Sequence, residues 1–350
     1  MKRGRVAAIG LGLLAVVLAG HGALWWTATT ALERQAARWA AAQRAQGNSV
    51  AHGAPVRGGW PMAARLTLPA VALAGREAAP GAGTQWDLQA EAVVLELALQ
   101  RPTELTLLLP GRFAAQAVEP GGATHFARGT ASQARAAVPL RPGEPSREVR
   151  FALRGLRLDT SFGPVVADAI DLGLERAPST GPEAPSGSAR LTLSELVLPP
   201  QSGAALGERI EHASIEARLL GVLPEQGPLA ARLAAWRDAN GWVELSRVVL
   251  RWGPLGVSGT ATLALDPALQ PMGQAATRLS GVQPTLDLLA AQGVVPRNTA
   301  ASARALLGFM SRTPAEGGPP VLDIALTLQD RRLSAGRIGL ARLPEIAWPR

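Results

Sequence analysis

The chain of 350 residues contains no cysteine, no tyrosine and only one lysine, Lys2. Without cysteine the protein has no disulfide, no thiolate nucleophile and no sulfur ligand for a metal, and it cannot be a lipoprotein anchored through a cysteine. Charged residues are scarce, at 18%, against about a quarter in an average domain. Apolar residues reach 47%, which is enough for a large core. This balance is more typical of an exported or membrane-associated protein than of a cytosolic one.

Basic residues outnumber acidic ones, and the formal net charge is +8. All basic residues except Lys2 are arginines, and they are spread along the chain among the acids. Without Lys2, Arg3 and Arg5 the chain has 32 basic and 27 acidic residues, a net charge of +5. No basic run is interleaved with aromatic residues, which is the usual footprint of nucleic-acid binding. We therefore expect no nucleic-acid partner.

An uncharged apolar segment follows the basic N-terminus. Residues 6–26 carry no Asp, Glu, Lys or Arg, and as a helix they would be about 31 Å long, close to the roughly 30 Å hydrocarbon core of a bilayer. Trp25 and Trp26 stand where an interfacial aromatic belt belongs. By the positive-inside rule, the basic residues stay in the cytoplasm. The sequence thus predicts a cytoplasmic tail at 1–5, a single-pass anchor in the inner membrane at 6–26, and a periplasmic body at 48–350.

A cleaved signal peptide is the alternative interpretation of this segment. Val17-Leu18-Ala19 would suit cleavage before Gly20. The apolar sequence nevertheless continues through Trp26, which makes it longer than a typical signal core. Either interpretation places the body outside the cytoplasm.

An exit helix is predicted over residues 27–47. Leu32, Ala36, Trp39 and Ala40 recur at helical spacing, and Gly47-Asn48 supplies a stop signal. This helix is either a stalk that packs on the body or a helix that binds the membrane surface or a partner. Its apolar side is mostly alanine, which favours the stalk.

After residue 48 the hydrophobic period changes to two, which is typical of half-buried strands. One unit recurs: two apolar positions at spacing two, a phase slip, then two more apolar positions. It occurs at Leu66, Leu68, Val71, Leu73; at Phe151, Leu153, Leu156, Leu158; at Leu191, Leu193, Leu196, Leu198; and at Val243, Leu245, Val248, Leu250. The slip would move later side chains to the other face of the sheet unless a bulge or bend corrects it. We therefore predict a β-rich α+β fold of curved antiparallel sheets built from repeated hairpins.

The C-terminal third has cleaner strand patterns and a few helical ones. Strands are predicted at 243–252 and 255–265 with a turn at Gly253-Pro254, and at 322–329 followed by a strand over 333–340. Short helices are predicted at 228–240, 285–293 and 299–311. The segment 177–187 is rich in Pro, Gly and Ser and predicts a loop, with a soft boundary inside the exported body.

Several segments carry a family resemblance: Gly58-Gly59-Trp60-Pro61, 236–241, 250–255, Leu265-Asp266-Pro267, Leu269-Gln270-Pro271 and 343–349. In these segments the chain resembles the domain of unknown function 2125 family, a group of uncharacterised membrane-anchored envelope proteins. In its order of an N-terminal membrane helix and repeated β-hairpins, it also resembles the AsmA-like envelope proteins. The resemblance implies location and architecture, and it assigns no activity to particular residues.

Residues that commonly carry catalysis are scattered along the chain. His52, His125 and His212 are the histidines outside the anchor, and no two of them stand at a metal-ligand spacing. The chain has no nucleophile-elbow motif, no P-loop and no complete dinucleotide motif. Two carboxylate pairs are close in sequence and are expected to be solvated surface charges: Asp168 with Asp171, and Glu208 with Glu211. We therefore expect no catalytic residues, no cofactor and no metal.

Four tryptophans are the candidates for a functional surface: Trp60, Trp236, Trp242 and Trp252. Such amphipathic rings line apolar grooves or membrane-facing rims, and they also fill ordinary corners of a core. An enzyme would need a solvent-accessible cluster of Asp, Glu and His, so two other functions are favoured. In the first, the body binds or handles a lipid or another apolar envelope component. In the second, it is a scaffold that docks an envelope protein and holds no small ligand.

Overall fold

The computed structural model describes residues 2–76, 83–140, 147–177, 181, 183–224, 226–312, 319–336 and 338–348. The chain divides into two compact units, one of residues 1–78 and 82–149 and the other mainly of residues 150–350. Both are built from antiparallel strands with few helices. The predicted β-rich α+β class, with one long apolar helix at the N-terminus, is confirmed.

Helix α1 (Lys2–Ala45) is continuous over 44 residues. It therefore joins the predicted anchor and exit helix without a break. From Leu11 onward this one helix is long and apolar enough to cross a membrane. Gly47, in the left-handed region at φ +86°, follows the helix at the predicted stop.

The described residues of the first unit form eight strands: β1 (Ser49–Ala51), β2 (Val56–Gly58), β3 (Ala63–Arg76), β4 (Gln85–Ala98), β5 (Glu104–Leu108), β6 (Arg112–Val118), β7 (Thr124–Thr130) and β8 (Gln133–Pro139). The long strands β3 and β4 pair along their whole length. On one side, both β1 and β2 pair with β3. On the other side, β5 and β6 follow each other along β4, and β8 and β7 pair with them in turn.

The C-terminal half of α1 packs on this sheet. Trp25, Ala28, Leu32 and Ala36 lie three or four residues apart on one stripe of the helix, and they belong to the hydrophobic cluster around Leu66. Leu66 is fully buried, and Leu32 is 9% exposed. Each buried leucine contributes about 2 kcal/mol. The helix is therefore held against the body and does not stand free.

Within the described residues of the second unit, a meander of antiparallel strands runs in chain order: β9 (Glu148–Thr160, whose first two residues belong to the first unit), β10 (Gly163–Arg176), β11 (Pro185–Val197), β12 (Arg209–Leu220), β13 (Trp242–Trp252), β14 (Leu255–Leu265), β15 (Pro271–Ser280), β16 (Val321–Gln329), β17 (Arg332–Ala335) and β18 (Ile338–Arg342). Each strand pairs with the next. Helix α2 (Leu229–Asp238) lies between β12 and β13. Helices α3 (Val282–Ala291) and α4 (Arg297–Met310) lie between β15 and β16.

The predicted phase slips coincide with irregular positions in the strands. In three repeats the slip is occupied by a residue in the left-handed region: Ala70 at φ +49°, Gly155 at φ +55° and Glu195 at φ +51°. In the fourth, the pairing of β13 with β14 shifts register between Leu245 and Val248. Each predicted slip therefore falls at an irregular position of the backbone or of the strand pairing.

At Ala70 the pairing of β3 with β4 keeps the same register. Leu68 pairs with Val93 and Val71 pairs with Ala90, so the register is the same on both sides of the break. A non-glycine residue in the left-handed region costs about 1–2 kcal/mol. The fold therefore maintains this conformation against a local penalty.

Both predicted hairpins are present. Strands β13 and β14 turn at Gly253-Pro254, and β16 and β17 turn at Asp330 and Arg331, which both have positive φ. The prediction of one strand over 333–340 is wrong. The chain leaves β17 after four residues, and β18 returns to pair with β17.

The three predicted short helices are confirmed, with small differences at their ends. The segments 228–240, 285–293 and 299–311 correspond to α2, α3 and α4. The segment 177–187, predicted as a loop, connects β10 to β11 and its last residues already belong to β11. Residues 178–180 and 182 of this segment lie outside the described residues.

Candidate functional site

One face of the second unit's sheet is apolar across seven successive strands, β10 to β16. Directly paired residues of an antiparallel ladder lie on the same face, so the register defines rows across the sheet. The central row is Leu172, Leu191, Ile215, Val248, Gly259, Thr277 and Ile324. A second row beside it is Ile170, Leu193, Ala213, Leu250, Val257, Leu279 and Leu322. A third row, on the other side, runs from Leu174 to Leu326, and the three rows together are named the apolar face.

The opposite face of the same strands is polar. Its positions alternate with those of the apolar face, as the period of two requires. Ion pairs join neighbouring strands there: Arg190 with Glu216, Arg218 with Glu244, and Arg278 with Asp323. The sheet is therefore strongly amphipathic. An amphipathic sheet needs a second layer on its apolar face, or a ligand in place of one.

The described elements cover the apolar face only in part. Helix α3 contacts β14, and it follows directly on the end of β15, where Ser280 pairs with Gly256 at the start of β14. At that end of the sheet Leu322 is 1% exposed. Away from it the apolar side chains are only half-buried, and Ile215 and Leu174 are 37% and 41% exposed. Ile215 of the central row and Leu174 of the third row are therefore accessible to a ligand.

The apolar face offers almost no polar group to a ligand. Among the described residues of the central row, Thr277 is the polar one, and its hydroxyl donates a hydrogen bond to the carbonyl oxygen of Ile324 at 2.8 Å. Ligands with several polar groups need convergent donors and acceptors in their site. The composition of the face instead fits a hydrocarbon chain.

The predicted tryptophan site is not brought together. Trp236, on α2, is 2% exposed, and its indole Nε1 donates to the carbonyl oxygen of Leu220 at 2.8 Å. A Cβ at Gly241 would collide with the Trp236 ring. The ring therefore fills a core corner between α2 and the strands that flank it. Trp242 begins β13 and Trp252 ends it, so the two are about 33 Å apart along the strand.

The two β13 tryptophans also lie on opposite faces of the sheet. Trp252 follows Leu250 on the apolar face and pairs with Ile210, and its Nε1 donates to the carbonyl oxygen of Gly207 at 2.7 Å. Trp242 shares the polar face with Glu244. Trp60 belongs to the first unit and is 53% exposed. The candidate residues that sequence reasoning missed are therefore the aliphatic residues of the apolar face, Ile215 above all. They share a face because of the register between strands that are far apart in the sheet.

The C-terminal segments that carry the family resemblance do converge. The guanidinium of Arg237, at the end of α2, donates to the carbonyl oxygens of Asp266 and Pro267 in the β14–β15 turn. In the same turn the Gln270 amide is 6% exposed and exchanges two hydrogen bonds with the backbone of Ile346. Trp348 donates from Nε1 to the carbonyl oxygen of Leu269 at 2.7 Å. We name these contacts the C-terminal clasp. Its side-chain donors and acceptors are hydrogen-bonded to backbone groups of the protein, which indicates an architectural role.

The histidines are far apart in the strand order. His52 lies beside Gly53, His125 pairs with Glu119, and His212 is on β12. Within the described ranges, no group of three or more His, Asp or Glu side chains is arranged to hold a metal ion. The Asp171 side chain is 48% exposed and forms an ion pair with Arg154 at 2.7 Å, which agrees with the predicted surface charge.

The comparison with known proteins identifies one family. The sequence model of the family described as "Uncharacterized protein conserved in bacteria (DUF2125)" matches residues 25–344. No curated protein and no solved structure matches the chain. The match spans both compact units, so the resemblance carried by the short segments extends over nearly the whole chain.

Proposed function

The chain belongs to the DUF2125 family of uncharacterised bacterial proteins, and from this premise we propose that it is an envelope protein that binds lipid beside the membrane. In this proposal α1 anchors the chain in the inner membrane, with residues 1–5 in the cytoplasm and both units in the periplasm. The cluster of Lys2, Arg3 and Arg5 before the apolar stretch supports this orientation.

The observation that carries the proposal is the accessible apolar face. Soluble proteins rarely leave a contiguous apolar surface of more than a few hundred Å² uncovered, and such surfaces are usually binding sites. Here the rows run across seven strands, which at about 4.8 Å per strand is roughly 29 Å. An acyl chain laid across the strands would contact one aliphatic side chain on nearly every strand.

The ligand class follows from the chemistry of the face. Hydrocarbon contact contributes about 25 cal/mol per Å² of apolar surface removed from water. The face has no charged side chain within its rows, while the charges lie on the opposite face. A lipid would therefore place its acyl chain on the rows and leave its headgroup outside them.

A matched pair of variants tests the proposal. The full chain, purified in detergent and transferred to nanodiscs, is titrated with a phospholipid carrying a fluorescent acyl chain. Ile215→Glu places a carboxylate on the central row, and Thr260→Glu places one at an exposed position on the polar face of β14. We expect Ile215→Glu to weaken binding by tenfold or more, because about 2 kcal/mol of apolar contact is lost, and Thr260→Glu to bind as the parent does.

Two results would contradict this proposal. If the parent does not bind the probe, or if both variants bind it equally, the apolar face is not a lipid site. A stoichiometric protein crosslinked to positions on the face in intact cells would instead support the scaffold function. The orientation is tested separately with a reporter enzyme at the C-terminus, and activity confined to the cytosol would refute the periplasmic placement.

A further inference from the structure

The loop between β2 and β3, residues 59–62, is attached to α1 at the level where the proposed anchor ends. His21 donates from Nε2 to the carbonyl oxygen of Pro61 at 2.6 Å. One turn further along, Trp25 donates from Nε1 to the carbonyl oxygen of Gly58 at 3.0 Å. These two hydrogen bonds tie Pro61 of the loop, and Gly58 just before the loop, to helix residues that lie 40 and 33 positions earlier in the chain.

Further contacts hold the loop in this position. The Arg57 guanidinium lies 4.5 Å from the centre of the Trp26 ring and forms an ion pair with Glu33 at 2.6 Å. At the loop itself, the Ala63 amide donates to the carbonyl oxygen of Gly59 at 2.8 Å. Gly59 has φ +85°, and a Cβ there would lie 2.6 Å from the Ala63 carbonyl oxygen. The loop is therefore fixed relative to the helix axis.

Two large apolar side chains nevertheless point away from the protein in this loop. Trp60 is 53% exposed and Met62 is 60% exposed, and Trp26 on the adjoining helix is 58% exposed. The carbonyl oxygen of Met62 accepts a hydrogen bond from the Leu99 amide, and the Met62 sulfur accepts one from the Gln100 side-chain amide at 3.4 Å, so the residue is held in place while most of its side chain stays exposed. Fixed, exposed tryptophan and methionine side chains are costly in water.

The depth of the loop follows from helix geometry. His21 lies five residues before Trp26, which is about 7.5 Å along the helix axis. If residues 6–26 span the hydrocarbon core, the Pro61 carbonyl at His21 lies about 7.5 Å inside the outer boundary set by Trp26. Gly58, at the other end of the loop, lies at the level of Trp25, so the loop begins at the outer interface, where tryptophan and tyrosine are enriched.

We infer that residues 59–62 insert into the outer interface of the membrane, with Trp60 and Met62 in contact with lipid. The inference rests on the proposed function in one respect, that α1 crosses a bilayer. Insertion of the loop gives the first unit a second contact with the membrane. This contact fixes the unit against the membrane surface and prevents its rotation about the helix axis. The partner of this exposed loop is the lipid interface, because the loop is hydrogen-bonded to the apolar helix that enters the membrane.

The absence of cysteine makes the test direct, since single cysteines can be introduced and labelled. The full chain is reconstituted in vesicles of phosphatidylethanolamine and phosphatidylglycerol, with an environment-sensitive fluorophore at Met62→Cys. Trp60→Cys is the second loop variant, and circular dichroism verifies the fold of each. Trp39→Cys is the matched control, because Trp39 is 49% exposed on the same helix but about 20 Å beyond Trp26. Leu18→Cys reports on the anchor itself.

Lipids with a nitroxide near the headgroup quench probes at the interface, and lipids with a nitroxide midway along the acyl chain quench the Leu18 probe, which lies about 12 Å inside the boundary set by Trp26. We expect the Met62 and Trp60 probes to be quenched several-fold more than the Trp39 probe. If the loop probes are quenched as little as Trp39 while Leu18 is quenched, the loop does not enter the membrane and the inference is overturned with the anchor intact. If Leu18 also escapes quenching, the anchor itself fails, and the inference fails with it.

Discussion

The left-handed residues at the phase slips predict that exchanges of glycine and alanine change the stability of the protein, with a sign that depends on the backbone conformation. Gly155 has φ +55° at the slip of β9, where a Cβ costs about 1–2 kcal/mol. Alanine also reduces the freedom of the unfolded chain, which returns about 0.4–1 kcal/mol. We therefore expect Gly155→Ala to destabilise the second unit by about 1 kcal/mol.

Gly173 provides the matched control in the same unit. It lies in regular strand β10, opposite Arg190, and a Cβ there would meet no atom within 4 Å. Gly173→Ala should therefore stabilise the unit by about 0.5–1 kcal/mol, because only the strand preference changes. The reverse substitution in the first unit, Ala70→Gly, removes a left-handed Cβ at φ +49° and should raise stability by up to about 1 kcal/mol.

The assay is thermal unfolding of the full chain in detergent, followed by far-ultraviolet circular dichroism. For units of this size, 1 kcal/mol corresponds to a shift of about 2–4 °C in Tm. We expect Gly155→Ala to lower Tm and Gly173→Ala to raise it. If Gly155→Ala raised Tm as much as Gly173→Ala, the left-handed conformation at the slip would not exist, and the reasoning about the repeats would be refuted.

Three further substitutions test the core and the C-terminal clasp. Trp236→Ala should cost the second unit about 3–5 kcal/mol, seen in urea unfolding, because the ring is buried and the Leu220 carbonyl loses its donor. Leu66→Ala should cost the first unit about 2–5 kcal/mol in the same measurement, and an effect below 1 kcal/mol would contradict the contact with α1. Gln270→Ala should leave the sheet intact but free the segment at Ile346, so limited proteolysis should remove the C-terminus faster than in the parent.

Local patterns predicted much of the fold. The uncharged run after Arg5 predicts a helix because its length and composition allow little else. Each slip at Ala70, Gly155 and Glu195 breaks a strict period of two, and the period is a property of the strand itself. Two-residue turns such as Asp330-Arg331 are likewise decided by neighbouring residues. These features were readable because the residues that cause them are adjacent in the chain.

The short strands β5 to β8 had no comparable signal. Strand β6 contains Ala114, Ala115 and Ala117, and alanine carries almost no preference for a strand. Its pairing with β4 and β7 is what makes it a strand. Tertiary structure likewise decides where the tryptophan rings lie. Trp236, Trp242 and Trp252 are near one another in sequence but do not form one cluster in space, since Trp242 and Trp252 stand at opposite ends of one strand.

The sequence by itself determined the class of the protein: one apolar helix of membrane length, period-two strands with regular slips, and membership of a bacterial family. Only the tertiary structure decided where surfaces lie. Ile215 and Leu172 join one row through pairing across β10, β11 and β12, and His21 meets Pro61 across 40 residues. Periodicity says which residues of one strand share a side, whereas register and docking, which depend on all the strands together, say which residues of different elements share a surface.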